Sequence, residues 1–394
     1  MKDNKHWLLP EGITEVLPPQ AWMLERLRRN LLDLYRSWGY QLVFPPFIEY
    51  LDSLMTGAGS DLDLQTFKVT DQITGRTLGI RADITPQVAR IDAHQLRRDQ
   101  PTRLSYLGTV LTSTGSGLAG SRSPLQIGAE LYGYAGIEAD LEVICLMLES
   151  LHLAGMDDLF LDLGHVGIFR GLARQAGLDQ GQELALFDAL QRKAVPEIQS
   201  LVSGFGISIA EGEMLTALAW LSGDGAITQA QQALAAAGQE VQRELEQLSR
   251  LADLLAARHP ELPVHFDLAE LRGYHYHTGM VFAAYLPGRG QEVARGGRYD
   301  DIGALFGRAR PACGFSADLN QLLQLGSYPQ GVGDDRIFAP ADDDPGLERR
   351  IQELRCQGRQ VMKQLPGQVG GARAMGCVRV LERRADDWVV AEVD

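Results

Sequence analysis

Apolar residues recur along this chain in two rhythms, and the switches between them mark the elements. From 20 to 38, Leu24, Leu27, Leu31, Leu34 and Trp38 return every three or four residues, the stripe of an amphipathic helix. Pro18–Pro19 introduces it and Gly39 stops it. The next run, YQLVF, predicts a strand closed by Pro45–Pro46, because proline cannot donate to a ladder. Residues 66–80 predict a hairpin turning at Thr74–Gly75. In RADITPQVARIDAHQLR, Thr85 is placed as an N-cap and Pro86 at the first helical position, with Val88, Ile91 and His94 on the buried side.

The stretch 103–133 predicts strand, loop, strand. Its second strand alternates strictly, with Leu125, Ile127, Ala129 and Leu131 on one face and Gln126, Gly128, Glu130 and Tyr132 on the other. Gly128 leaves a gap between an amide and a carboxylate. That gap is either the floor of a small-ligand pocket or part of an ordinary two-sided strand. Residues 141–263 turn helical, and about 166–262 read as a helical insertion, with Leu234, Val241, Leu245, Leu248, Leu251 and Leu255 at helical spacing. HFDLAELRGYHYHTGMVFAAYL returns to strand character, placing His275 and His277 on one strand face. An HxH pair can ligate a metal, but no third ligand is marked, so a pocket wall of Tyr276 and His277 fits better. GGRYDDI brings glycines where a backbone passes close to something, and CGFSADLNQLL predicts a strand entering a helix. Residues 1–328 thus form the main domain. The turn-rich remainder, 329–394, reads as a separate small α/β module of short strands with a helix near 347–355.

The chain's 394 residues suffice for a large core, and 45% hydrophobic with 22% charged residues is a globular composition. A formal net charge of −14 without a basic stripe argues against a nucleic-acid partner. Cys145, Cys313, Cys356 and Cys377 have no metal-ligand spacing and suit a reducing compartment. No stretch has the length and apolarity of a signal peptide or membrane span, so the expectation is cytoplasmic. No lysine follows a glycine, which excludes a GxxxxGK[ST] phosphate loop, and no cofactor is expected.

RADITPQVAR, RLSYLGTVL, LQIGAELYG, LRGYHYHTGMVF, GGRYDDI and GFSADLNQLL, in this order, resemble histidyl-tRNA synthetase over about residues 8–328. The resemblance implies an α+β, class II aminoacyl-tRNA synthetase-like fold: an antiparallel sheet flanked by helices that binds histidine and ATP. The first helix and strand match the signature that forms the class II dimer interface. Carried over by position, Arg81, Asp83 and Thr85 hold the α-ammonium of histidine. Gln126 and Glu130 line the pocket, with Glu130 meeting an imidazole N–H. Arg272 lies near the substrate carboxylate and the α-phosphate. Tyr276 and His277 fall where the family has paired tyrosines, and His277 departs from that pattern.

Two cationic groups are missing. Where the family has Phe-Arg gripping the α-phosphate, this chain has Leu111 and Thr112. Where the family has Gly-Leu-Glu-Arg, the arginine holding the γ-phosphate, it has Asp318, Leu319, Asn320 and Gln321. The loop 114–124 offers only Arg122. Adenylate formation moves negative charge onto phosphate oxygens, and losing one fixed positive group typically costs ~10²–10³-fold in rate. The module 329–394 is also too short for the family's anticodon-reading domain, so no tRNA is expected. A histidine cradle without phosphate grips resembles the family of ATP phosphoribosyltransferase regulatory subunits. That resemblance implies a non-catalytic subunit, paired with a short-form catalytic subunit in a hetero-octamer, that reports histidine for feedback in the first step of histidine biosynthesis. A divergent synthetase-like amino-acid ligase and a histidine-binding adaptor for another partner are the alternatives.

Overall fold

The leucine stripe forms the helix Gln20–Ser37, which buries Leu27, Leu31 and Tyr35. It packs on the helix Ile137–Leu153, whose Val143, Ile144, Leu146, Met147 and Leu151 are all buried. The structure is a computed structural model that describes residues 7–56, 60–115, 121–271, 273, 276–329 and 335–393. The chain divides into two units, Met1–Tyr328 and Pro329–Asp394.

The first unit is built on β1 (Gln41–Val43), β2 (Ile48–Tyr50), β3 (Phe67–Thr70), β4 (Thr77–Ile80), β5 (Thr102–Thr109), β6 (Leu125–Tyr132), β7 (Phe160–His165), β8 (Val264–Phe266), β9 (Met280–Tyr285), β10 (Glu292–Arg298) and β11 (Ala312–Asp318). Eight of them form one sheet in the order β1-β5-β6-β11-β10-β9-β7-β8. Its interior pairs are antiparallel, and a parallel pair, β1 with β5 and β7 with β8, closes each end. The expected hairpin is β3–β4, with Gly75 at φ +72°, and β2 joins it in a separate three-stranded sheet.

Register decides what lies together. Leu104 of β5 and Gly314 of β11 both stand opposite Glu130 of β6. Tyr106 stands opposite Gly128, and Gly297 of β10 opposite Gly314. Alternation sends Ile127, Ala129, Leu131, Cys313 and Phe315 into the large core beneath the helices. The other face carries Gln126, Gly128, Glu130 and Tyr132 toward a smaller cluster of Ile84, Val88, Leu104, Tyr106 and Tyr299.

The stretch read as an insertion holds the helices Val166–Gln175, Gln180–Gln191, Val195–Gly204, Ile209–Ala217, Ala226–Ala233 and Gln239–Arg258. The leucine run splits in two near Gly238, and its Leu234, Val241, Leu245, Leu248, Leu251 and Leu255 are all buried. Strand β7, unmarked by any turn signal in FLDLGH, interrupts the helical region before it. The second unit is a sheet ordered β13-β12-β14-β15, from β12 (Ile337–Ala339), β13 (Val361–Lys363), β14 (Arg379–Arg384) and β15 (Asp387–Glu392). The helix Pro345–Cys356 seals one core of Ile337, Leu347, Ile351, Leu354, Leu381 and Trp388. Asp344 caps that helix at Gly346 N–H (2.7 Å) and accepts from the Trp388 indole (2.8 Å).

Two buried ion pairs fasten the first unit. Arg310 Nη1 lies 2.9 Å from Asp92 Oδ1. Arg298, at the end of β10, meets Asp140 in the first turn of Ile137–Leu153 through Nη2 (2.7 Å) and Nε (3.1 Å). Burial pushes the Asp140 carboxyl up and Arg298 opposes it, so the aspartate depends on its partner to stay ionised. Arg298→Met leaves that carboxyl buried and alone, and we expect a loss of about 3–5 kcal/mol in denaturant unfolding. The double variant Arg298→Met/Asp140→Leu should recover most of this. A single variant as stable as the parent would show that the pair is not a fastening.

Candidate functional site

The site begins where β4 runs into a helix. Asp83 Oδ1 accepts the Thr85 N–H (3.0 Å) and Gln126 Nε2 (2.7 Å), while Gln126 Oε1 accepts the Ile84 N–H (2.9 Å). This reciprocal pair locks the strand β6 amide to the helix entrance. The helix Thr85–Arg90 starts one residue earlier than the sequence predicts, so Thr85 does not cap it. Asp83 satisfies the backbone instead, which frees the Thr85 hydroxyl to lie 3.1 Å from the Tyr106 hydroxyl. The helix then opens into a π-turn, Ile91–Leu96, which buries Asp92 and leaves His94 exposed and Ile91 half-buried. Arg81 is buried and donates to Thr109 O (2.9 Å) and Pro45 O (2.8 Å), a strut between β5 and the Pro45–Pro46 elbow.

Glu130 is the centre. It is 1% exposed, and its Oε2 has no hydrogen-bond partner among the described residues. Buried hydroxyls of Tyr132, Tyr276 and Tyr299 are likewise unpartnered. Burial first, and then the charge of Asp83, push the Glu130 carboxyl well above the usual range, while the Tyr106 and Thr85 hydroxyls oppose the shift. A Cβ on Gly314 would lie 1.5 Å from Glu130 Oε2 and 2.5 Å from the Tyr299 hydroxyl. The backbone of β11 is thus bare where both groups converge.

The Tyr276 and Tyr299 rings stack at an angle, 4.9 Å between centroids, with the His277 ring 5.4 Å from Tyr276 and 6.3 Å from Tyr299. His277 is not on a strand, as its spacing from His275 suggests. Tyr276 and His277 both donate N–H to Gly273 O (2.7 Å each) in a turn that precedes β9. Gly273, at φ +68°, makes that turn. Arg272 and His275 lie outside the described residues. Among the described residues, no three His, Cys, Asp or Glu side chains could hold a metal ion.

The structure therefore gathers Asp83, Thr85, Gln126, Glu130, Tyr276 and His277 at one place, with Arg81 as a support. Tyr106, Tyr132 and Tyr299 join them unannounced. Tyr132 shares the Glu130 face and Tyr299 sits inside GGRYDDI, both readable signals, but Tyr106 emerges only once β5 is paired with β6.

The two positions expected to have lost their arginines are engaged otherwise. Thr112 forms a lone bridge with Thr66, and its N–H donates to Arg122 O (2.9 Å). Arg122 donates to Thr112 O (3.1 Å) and Glu11 O (3.3 Å), with its guanidinium 5.2 Å over the Phe67 ring. Gln321 Nε2 donates to Glu292 O (3.2 Å).

The histidyl-tRNA synthetase family signature matches residues 12–322, and that of the ATP phosphoribosyltransferase subunit HisZ C-terminal domain matches 334–391. An ATP phosphoribosyltransferase regulatory subunit from Thioalkalivibrio sulfidiphilus (strain HL-EbGR7) is 57% identical over 395 residues, covering 100% of each chain. Another, from Pseudomonas paraeruginosa (strain DSM 24068 / PA7), is 56% identical and covers 98% of each. Among solved structures, an ATP phosphoribosyltransferase regulatory subunit/histidyl-tRNA synthetase from Bacillus halodurans C superposes with a TM-score of 0.80 at 27% identity, over 94% of this chain and 96% of that one. Histidyl-tRNA synthetase from Nostoc sp. PCC 7120 shares the fold, with a TM-score of 0.77 at 17% identity over 98% and 97% of the two chains. The chain belongs to the family of ATP phosphoribosyltransferase regulatory subunits, on the class II fold of histidyl-tRNA synthetase.

Proposed function

We propose that this chain is the non-catalytic regulatory subunit of ATP phosphoribosyltransferase, required by a short-form catalytic subunit and carrying histidine feedback on the first step of L-histidine biosynthesis. The observation that carries the ligand assignment is the enclosed, unpartnered Glu130 Oε2 beside three unpartnered tyrosine hydroxyls. A buried polar atom without a partner costs about 1–3 kcal/mol, and a ligand N–H placed there removes the cost. L-Histidine fits, its ring N–H on Glu130 and its ring between Tyr276, Tyr299 and His277. Asp83, held by Gln126, and Thr85 take the ammonium end, and Arg272 takes the carboxylate.

The same reading makes the chain silent as a synthetase. Neutral Thr112 and Gln321 stand at the clamp positions, and Arg122 is already bonded to backbone carbonyls. Feedback requires that histidine favour one state of the complex, typically by ~1–3 kcal/mol. Exposed apolar side chains support self-association through the class II face, among them Phe44 at 71% and Trp22 at 62% exposure, with Leu42, Phe47 and Ile48. This suits a hetero-octamer without tRNA. No described helix is long and apolar enough to cross a membrane, and we place the complex in the cytoplasm.

Calorimetry on the purified chain should show L-histidine binding, and histidine-dependent ATP–pyrophosphate exchange should be absent. Measurable exchange would return the chain to the ligases. Glu130→Gln should lower histidine affinity at least about tenfold, since a hydrogen bond to a charged group is lost, while the unfolding midpoint holds or rises. Unchanged affinity would move the pocket elsewhere. Arg272→Ala should weaken binding more than Arg122→Ala, and the opposite ranking would break the alignment of the 271–282 motif.

A further inference from the structure

We propose that Gln126 is a positioning residue that makes this pocket selective for an α-ammonium group: its amide acts through Asp83 and not on the ligand itself, fixing one carboxylate oxygen so that the other receives the cation. The inference rests on the histidine pocket described above and concerns the amino end of that ligand. Gln126 is half-buried near the start of β6. Opposite it in β5 stands Gly108, and the volume a Cβ would take there holds the Arg81 guanidinium, with Nη2 2.1 Å away. The segment that carries Asp83 therefore lies beside Gln126.

Both ends of the amide are spent on that segment. Oε1 accepts the Ile84 N–H at 2.9 Å, and Nε2 donates to Asp83 Oδ1 at 2.7 Å. The orientation is forced, because a backbone N–H needs an acceptor and a carboxylate only accepts, so an amide turned over would satisfy neither. Asp83 Oδ1 also takes the Thr85 N–H at 3.0 Å, so donors from two elements fix that one oxygen. Among the described residues, nothing donates to Asp83 Oδ2. A terminal carboxyl torsion is broad when left to itself, and residues 81–84 lie in no helix or strand that would restrain it. The two donors set the carboxylate plane and leave Oδ2 for a cation. Of the two side chains assigned to the ammonium, only Asp83 carries charge, since Thr85 is neutral and its hydroxyl already lies 3.1 Å from that of Tyr106.

The test compares the full-length wild type with Gln126→Met, which keeps the volume and loses both bonds. Two ligands are titrated, L-histidine and 3-(imidazol-4-yl)propionate, which lacks only the amino group; ligand-observed NMR reaches the weaker affinities. Gln126→Met should lower L-histidine affinity about tenfold, the cost of a misplaced hydrogen bond to a charged group, and leave the affinity for the deaminated analogue unchanged. In an Asp83→Ala background, Gln126→Met should cause no further loss, because a residue that acts through another has nothing left to act on. Equal losses for the two ligands overturn the proposal, since a merely structural glutamine would disturb both. A further loss in the Asp83→Ala background also overturns it, by placing the amide on the ligand, and so does an unchanged histidine affinity. If Gln126→Met fails to fold, Gln126→Asn takes its place, one methylene too short to make both bonds, and the same results decide. Wild-type protein that binds no histidine overturns the ligand assignment and this inference together, whereas wild-type binding that Gln126→Met leaves intact overturns this inference alone.

Discussion

Everything at the site depends on backbone left bare of side chains. On the pocket face of the sheet, Gly108, Gly128, Gly297 and Gly314 each receive a neighbour in the volume a Cβ would take: Arg81 at 2.1 Å, Tyr106 at 2.4 Å, His277 at 2.6 Å and Glu130 at 1.5 Å. All four are strand positions; Gly128, Gly297 and Gly314 are held by ladders on both sides and Gly108 by its pairing to β6, so the sheet yields little room. The polar side chains consequently lie down on the sheet instead of standing off it. That posture is what buries a carboxylate and several phenols in a space lined by Ile84, Val88 and Leu104.

Such an arrangement is a poor choice for stability alone. Glu130 pushed well above its usual range, and hydroxyls of Tyr132, Tyr276 and Tyr299 without partners, are features a purely structural core avoids. The fold can carry them because the opposite face of the same strands packs a continuous apolar core from the helix Gln20–Ser37 through Ile137–Leu153 to the insertion. One face of β6 therefore stabilises while the other carries the polar groups to which we assign a ligand. Arg298–Asp140 ties the end of β10 to the first turn of Ile137–Leu153, and Arg310–Asp92 ties the approach to β11 to the π-turn.

What could be read in advance followed from periodicity. The two faces of 125–132, the leucine stripe of 20–38 and the buried leucines of 234–255 were legible because strand and helix periods repeat over eight or more residues. Contacts set by tertiary register were not. Nothing local pairs Tyr106 with Gly128, or joins Asp92 to Arg310 across 218 residues. Thr85 had the chemistry of a cap, but Asp83, two residues earlier, already serves the backbone, and the freed hydroxyl turns inward. His277 looked like a strand residue because HxH has a two-residue period, yet Gly273 at positive φ folds the segment into a turn first. Strand β7 escaped notice because FLDLGH is short and stands between long helical runs.

The division between what the scaffold keeps and what it drops has a physical logic. The proposed binding of an amino acid calls for complementary hydrogen bonds away from water, and the glycine-lined face offers neutral backbone and a few buried polar groups for it. Activating the amino acid calls for fixed positive charge where phosphate charge builds up. The neutral side chains at 112 and 321 cannot provide it, and the guanidinium closest in sequence to Thr112, Arg122, is already held by two carbonyls and a ring. A ligand that is bound and never turned over can act only through a difference in affinity between states. Buried polar atoms without partners, such as Glu130 Oε2 and the tyrosine hydroxyls, suit the proposed role, because a ligand group bonded to them changes the energy of the protein around it and not merely its surface.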